Sequence, residues 1–277
     1  MSEPTALEVW GDPIAHSLSP RMHRAAYALL GRDWSYGRRQ VSMGMFAATL
    51  TGLDARHRGL SLTFPLKAVA YEAAVERDPD AELTGAANTL LLTPDGPHGF
   101  NTDVYGLATA LTERGITSHD TARIVGAGAT ATSALVALHR IGVSTVYIAA
   151  RNAGRARPLR ELGEQLGLRV RAHPLSATPE PVEVTVAALP GGTPVGAAVA
   201  EPLAAAGGLL LDVVYGHWPT DLARAWHRVG GDAVDGLGML LHQAVGQVRI
   251  FSTGDPGRAL PDEPAVIDVM RRALVEG

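Results

Sequence analysis

The sequence predicts an α/β chain of about two domains, and three observations carry that expectation. Its 277 residues suit about two units at roughly 150 residues each. Hydrophobic residues make up 46% of the chain and charged residues 19%, which is ample apolar volume for packed cores and too much for a disordered chain. Short strand-like runs alternate with helical stretches along most of its length, the pattern of βαβ units with right-handed crossovers around mostly parallel sheets.

A first strand is expected over residues 7–10, stopped by Gly11-Asp12-Pro13. A helix follows over 20–30, with Ser19 as its N-cap and Pro20 at the first helical position, where a missing N–H costs nothing. Gly31 closes it. A strand over 34–41, a helix over 43–53 and a strand over 59–63 come next, and Pro65 opens a helix to about residue 75. Residues 87–92 and 97–100 form a hairpin around Pro94-Asp95-Gly96, a strong turn sequence. A helix over 103–114 ends this part.

The second part starts near Thr121. A buried strand over 123–126 leads into a helix over 130–141, a strand over 144–149, and a helix from Pro158 to 167. Strands over 182–188 and 209–213 follow, the latter a Leu/Val run typical of a parallel sheet covered on both faces. A long apolar helix over 236–251 and a terminal helix over 263–274 complete the chain. The domains so drawn are 1–105, 106–236 and a helical ending, 237–277.

Several function classes drop out. The net charge of −4 gives no basic stripe for nucleic acid. With no cysteine, disulfide scaffolds, thiolate metal sites and cysteine nucleophiles are excluded. The apolar reach over 195–214 is interrupted by Glu201, Pro202, Gly207, Gly208 and Asp212, so no membrane span is expected. Met1 to Trp10 lacks the cationic-then-apolar order of a secretory leader. A cytoplasmic protein is the expectation.

Among the 24 basic side chains, 23 are arginine and one is lysine, Lys67. Either chance left it there, or the position needs a cation that can give up its proton, which arginine cannot. Gly126-Ala127-Gly128-Ala129-Thr130-Ala131 lies where a strand meets a helix and fits the G-x-G-x-x-G/A turn of Rossmann-type dinucleotide binding. The first glycine permits the turn, the second admits a pyrophosphate, and helix N–H groups face the phosphate. A plain βα turn would look similar, but the next strand argues against it. Where an NAD site places an acid against the ribose, this chain has Arg151, followed by Arg155, Arg157 and Arg160. Arginine grips a 2′-phosphate that an acid would repel, so NADP(H) is the expected cofactor.

Polar residues gather at strand ends in the first hundred residues: Ser17 and Ser19 in His16-Ser17-Leu18-Ser19-Pro20; Thr63 and Lys67 in Thr63-Phe64-Pro65-Leu66-Lys67; Asn88 in Gly85-Ala86-Ala87-Asn88-Thr89; and Asp103 in Asn101-Thr102-Asp103. A lysine in a first helical turn opposes the helix dipole, so helix stability does not account for Lys67. Taken in order, these segments resemble the S-x-S-P, T-x-P-x-K, G-A-x-N-T and N-T-D-x-x-G pattern of the shikimate dehydrogenase family. The likeness continues through the glycine turn, Asp212-Val213-Val214-Tyr215, Pro219-Thr220-Asp221-Leu222, and Gly236-Leu237-Gly238-Met239-Leu240-Leu241-His242-Gln243, and so spans nearly the whole chain.

That resemblance implies an N-terminal α/β substrate domain, a doubly wound NADP-binding domain, and C-terminal helices returning to the first. It implies NADPH-dependent, reversible reduction of 3-dehydroshikimate to shikimate in the aromatic amino-acid pathway, by a monomer or homodimer, with Lys67 and Asp103 as the catalytic pair. Ser17, Ser19 and Tyr215 would meet the substrate carboxylate, and Thr63, Asn88, Asp103 and Gln243 the ring hydroxyls. Gly126, Ala127, Gly128 and Ala129 would hold the pyrophosphate, and Arg151, Asn152 and Arg155 the 2′-phosphate. Gly236 and Met239 would lie near the nicotinamide. No metal is expected, because the nicotinamide carries the redox chemistry. A quinate/shikimate dehydrogenase preferring NAD and a non-catalytic NADP-binding regulator are the competing readings. The chain departs from the family at Ala129, Ala150 and Ala187-Ala188-Leu189-Pro190; the last removes a polar side chain expected to touch the cofactor.

Overall fold

The structure, a computed structural model, describes residues 5–117 and 120–275. Its chain divides into two compact units: the described residues up to Gly106 together with those from Leu240 onward, and Leu107–Met239.

The first unit is built from β1 (Thr5–Gly11), α1 (Ser19–Leu29), β2 (Trp34–Gln40), a 3₁₀ turn (Met43–Met45) running into α2 (Phe46–Thr51), β3 (His57–Leu62), α3 (Lys67–Ala73), β4 (Glu76–Arg77), α4 (Pro79–Thr84), β5 (Thr89–Thr93), β6 (Gly96–Phe100) and the start of α5 (Thr102–Glu113). Its six strands lie in the order β2-β1-β3-β5-β6-β4. β1 runs parallel to β2 and β3, whereas β5 is antiparallel to both β3 and β6. The last two helices, α10 (Leu237–Thr253) and α11 (Glu263–Val275), supply Leu241, Val248, Phe251, Val266 and Met270 to a core shared with Leu7, Val9, Met22 and Tyr27. A helix whose apolar residues are claimed in this way is held by tertiary packing rather than by its own propensity.

Four details differ from the sequence reading. Ser19 is the first helical residue of α1 rather than its N-cap; the cap is Leu18, already helical, and the Ser17 hydroxyl takes the capping part by accepting the Ser19 N–H at 3.3 Å. The helix expected from Pro65 begins at Lys67, because the Leu66 N–H closes a turn on the Thr63 carbonyl at 2.8 Å. The helix expected over 43–53 is a 3₁₀ turn and a six-residue α-helix. β4 and α4 were not anticipated. α4 is nevertheless well signed, with Asp78 accepting the Ala81 N–H, Pro79 at the start and left-handed Gly85 at the end.

The second unit contains β7 (Thr121–Val125), α6 (Ala129–Arg140), β8 (Thr145–Ala150), a 3₁₀ turn (Ala153–Ala156), α7 (Arg157–Gln165), β9 (Arg169–Pro174), β10 (Val184–Ala187), α8 (Ala197–Ala205), β11 (Leu209–Asp212), α9 (Asp221–Arg228) and β12 (Ala233–Val234). Every strand pair is parallel, in the order β12-β11-β10-β7-β8-β9. Numbered from β7, that is the 3-2-1-4-5-6 order of a doubly wound dinucleotide fold, and the order reverses between β7 and β10. Leu210, Leu222, Trp226, Leu203, Val125 and Ala187 form one of its apolar clusters. β9, α8, α9 and β12 were absent from the sequence reading.

Candidate active site

Lys67 stands at the first position of α3 and Asp103 at the second position of α5. The Lys67 ammonium donates to Asp103 Oδ2 at 2.5 Å, and the two side chains are 15% and 5% exposed, so the cation reaches inward to a buried carboxylate. The other oxygen, Oδ1, accepts Asn88 Nδ2 at 2.8 Å. Each oxygen thus accepts a donor, and the carboxylate's place in the first turn of α5 suits the dipole. Asn101 Oδ1 accepts the Asp103 N–H at 3.0 Å. The Ala87 N–H bonds the Lys67 carbonyl at 2.9 Å, which pins the entry to β5 against the start of α3. Gln243 Oε1 lies 3.4 Å from Asn88 Nδ2, and its Nε2 donates to Leu240 O at 2.9 Å.

Lys67, Asp103, Asn88 and Gln243 therefore form one hydrogen-bonded cluster. Among the described residues, no hydrogen bond joins Ser17, Ser19 or Thr63 to it. Thr63 is half-buried, and its hydroxyl has no protein partner among the described residues. Its methyl lies 2.4 Å from where a Cβ on Gly11 would sit, so the end of β1 must be glycine for Thr63 to lie there. Three residues around Asn88 were not picked out from the sequence: Thr89, Thr102 and Gln247. Gln247 follows Gln243 by four positions on α10, the spacing that places two residues on one helix face, and that was the available signal.

In the second unit, the glycine turn joins β7 to α6. Gly126 has φ +124°, and a Cβ there would lie 2.8 Å from the Ala188 carbonyl oxygen; only glycine fits. At Gly128 a Cβ would meet nothing within 4 Å, so the backbone faces open space. No side chain caps α6, which leaves N–H groups of its first turn to bind an anion. Ala127 and Ala129 complete the turn, and Ala131 is fully buried, as close helix–sheet packing requires. Arg151 and Arg155 are exposed just after β8, and among the described residues neither pairs with an acid. Arg157 does, with Glu161 at 2.7 Å. Asn152, also exposed, accepts the Gly154 N–H on Oδ1 at 2.9 Å.

Asp212, at the end of β11, is buried; burial pushes its carboxyl above the usual range. Oδ1 accepts the Val214 N–H at 3.1 Å and Oδ2 the Thr220 hydroxyl at 2.7 Å, bracing the loop that carries Tyr215. The Tyr215 phenol is pushed up by burial too. A Cβ on Gly236 would fall 2.1 Å from Val213 O, so this segment and the Tyr215 loop are in contact; Met239 is buried. A cleft of about 280 Å³ opens beside the same loop, lined by Leu189, Thr193, Val214 and His217 among others.

A family model described as "Shikimate dehydrogenase substrate binding domain" matches residues 9–90. The shikimate dehydrogenase (NADP(+)) of Rubrobacter xylanophilus is 37% identical over 275 residues, covering 95% of this chain and 93% of that protein. The solved structure of Mycobacterium tuberculosis shikimate dehydrogenase is 38% identical, with a TM-score of 0.84 over 99% of this chain and 100% of that one. The Thermus thermophilus enzyme, solved in complex with NADP(H) and shikimate, is 32% identical with a TM-score of 0.80, covering 97% and 99% of the two chains.

Proposed function

The chain belongs to the shikimate dehydrogenase family, and on that premise we infer that it interconverts 3-dehydroshikimate and shikimate with NADP(H). The single observation that carries the catalytic assignment is the Lys67–Asp103 pair, a protonated amine held against a buried carboxylate. The remaining site residues named from the sequence are read in the same roles.

The second unit fits the cofactor. Gly126 and Gly128 leave a turn with no side chain in the way, the uncapped α6 offers donors to the pyrophosphate, and Arg151 with Asn152 and Arg155 suits an adenosine 2′-phosphate. When bound, NADP(H) carries the hydride of the reaction. The chain's own residues manage the oxygen. As reduction turns the ring ketone into an alkoxide, the Lys67 ammonium hydrogen-bonds that oxygen and gives it a proton. Lys67 is left as the amine and regains its proton from solvent. In the oxidising direction the amine takes the alcohol proton.

Asp103 orients the lysine through Oδ2 and accepts a neighbouring ring hydroxyl. Asn88 and Gln243 present amide groups to the same ring, and Ser17, Ser19 and Tyr215 hold the carboxylate. The protein acts on this small molecule in the cytoplasm, as a monomer or homodimer, without nucleic-acid or membrane partners. Among the described residues no helix is long and apolar enough to cross a membrane.

Initial rates of nicotinamide reduction with shikimate and quinate, each against NADP+ and NAD+, test this reading. Fastest turnover with shikimate and NADP+ is expected. A preference for quinate with NAD+, or tight nucleotide binding with no turnover on either substrate, would overturn it.

A further inference from the structure

Two backbone groups fix the directions of the hydrogen bonds that run from Tyr36 to Asp103. The Thr102 N–H can only donate, and it does so to Asn88 Oδ1 at 2.9 Å; Asn88 Nδ2 is therefore the atom facing Asp103. The Asn88 carbonyl can only accept, and it takes Gln247 Nε2 at 3.1 Å. Gln247 Oε1 must then accept, so the Ser61 hydroxyl donates to it at 2.9 Å. Ser61 in turn accepts the Tyr36 hydroxyl at 2.6 Å. The second hydrogen on Gln247 Nε2 goes to Thr89 Oγ1 at 3.1 Å, which leaves the Thr89 proton for Asn88 Oδ1 at 2.8 Å.

The result is a one-way series of donors: Tyr36 to Ser61, Ser61 to Gln247, Gln247 to Thr89, Thr89 to Asn88, and Asn88 to Asp103. Tyr36, Ser61, Thr89, Asn88 and Gln247 are all buried, where such bonds polarise one another and an unmade one is expensive. Burial also holds the Tyr36 phenol well above its usual range, which keeps it a donor.

From this series we propose that Thr89 and Gln247 are positioning residues for the reaction: they add a second donor to the Asn88 oxygen beside the Thr102 N–H, and so hold the amide steady with its NH₂ group facing the Asp103 carboxylate. Neither need touch the substrate. The inference rests on the shikimate reading of the site and adds to it that the orientation of the catalytic carboxylate is set from α10 and β5.

The test uses the full chain with shikimate and NADP+, comparing Thr89→Val, Thr89→Ser and Gln247→Met. Thr89→Val keeps the shape and removes the hydroxyl; kcat falls on the order of three- to tenfold, the size of one hydrogen bond, while KM for NADP+ stays within about twofold. Thr89→Ser keeps the hydroxyl and restores most of the rate. Gln247→Met repeats the loss, and the double variant Thr89→Val with Gln247→Met loses no more than the worse single one, because the links are in series. Equal losses in Thr89→Val and Thr89→Ser, wild-type kcat in both Thr89→Val and Gln247→Met, or additive losses in the double variant would overturn the proposal while leaving the enzyme assignment standing. Should Thr89→Val not accumulate, the Gln247→Met and Thr89→Ser rates decide it. A wild-type protein inactive on shikimate would remove the assignment and this inference together.

Discussion

His23 offers a sharp test of how dry the first unit is behind its site. The ring is fully buried, stacked on Tyr36 at 4.0 Å between centroids. Its Nδ1 takes the Tyr27 hydroxyl at 3.0 Å, and its Nε2–H donates to Gln247 Oε1 at 3.2 Å. Burial pulls its pKa from 6.5 down to about 3, with the Gln247 bond opposing weakly. The folded state therefore binds fewer protons than the unfolded state between pH 6.5 and 3, so stability falls as the pH is lowered through that window.

Between pH 7 and pH 5 the unfolded histidine becomes protonated and the folded one does not, which removes about 2 kcal/mol of unfolding free energy. A His23→Gln variant lacks this term. Urea unfolding of both proteins at pH 7 and pH 5 should show the wild type losing about 2 kcal/mol more than the variant, whatever the constant offset between them. Parallel losses would mean that His23 is hydrated or already charged in the fold, and the picture of a closed polar network would be wrong.

Three further outcomes are expected. Lys67→Met should fold and lower kcat by about 10²- to 10⁴-fold, the range for a lost general acid; a near-normal rate in the nicotinamide assay would remove Lys67 from the mechanism. Arg151→Ala should raise KM for NADP+ by roughly 10- to 100-fold, the worth of one charge-assisted bond at about 1.5–3 kcal/mol, with little change for NAD+, and parallel kinetics with the two cofactors would check it. Gly126→Ala should weaken NADP+ binding in calorimetry and cost about 1–3 kcal/mol of stability, since the new methyl must sit at φ +124° against Ala188 O; unchanged binding would contradict the close turn.

The doubly wound unit was the more legible part of the sequence. An apolar strand, a glycine turn and a helix announce β7 and α6 with little else needed, and the Leu/Val run of β11 reads as a covered parallel strand. β9 did not show because its Arg169-Val-Arg-Ala-His-Pro174 sequence belongs to a sheet edge, half-exposed and polar. α9 was passed over although Thr220 caps it by accepting the Ala223 N–H; its eight residues are too few for periodicity to speak clearly. β4 and α4 are shorter still. At the site, Lys67 stood out by being the only lysine. Gln247 offered only its four-residue spacing from Gln243, and a glutamine within a helix reads as solvated until its face is known to be buried.

The way the chain is divided also bears on its synthesis. Residues 107–239 are contiguous, so the doubly wound unit can fold as soon as it leaves the ribosome. The first unit cannot: its apolar interior lacks Leu241, Val248, Phe251, Val266 and Met270 until the last helices emerge, although its strands were made first. The earliest strands must wait, partly uncovered, for the end of translation, and a nascent chain cut short before α10 would keep the doubly wound unit and lack the interior of the first.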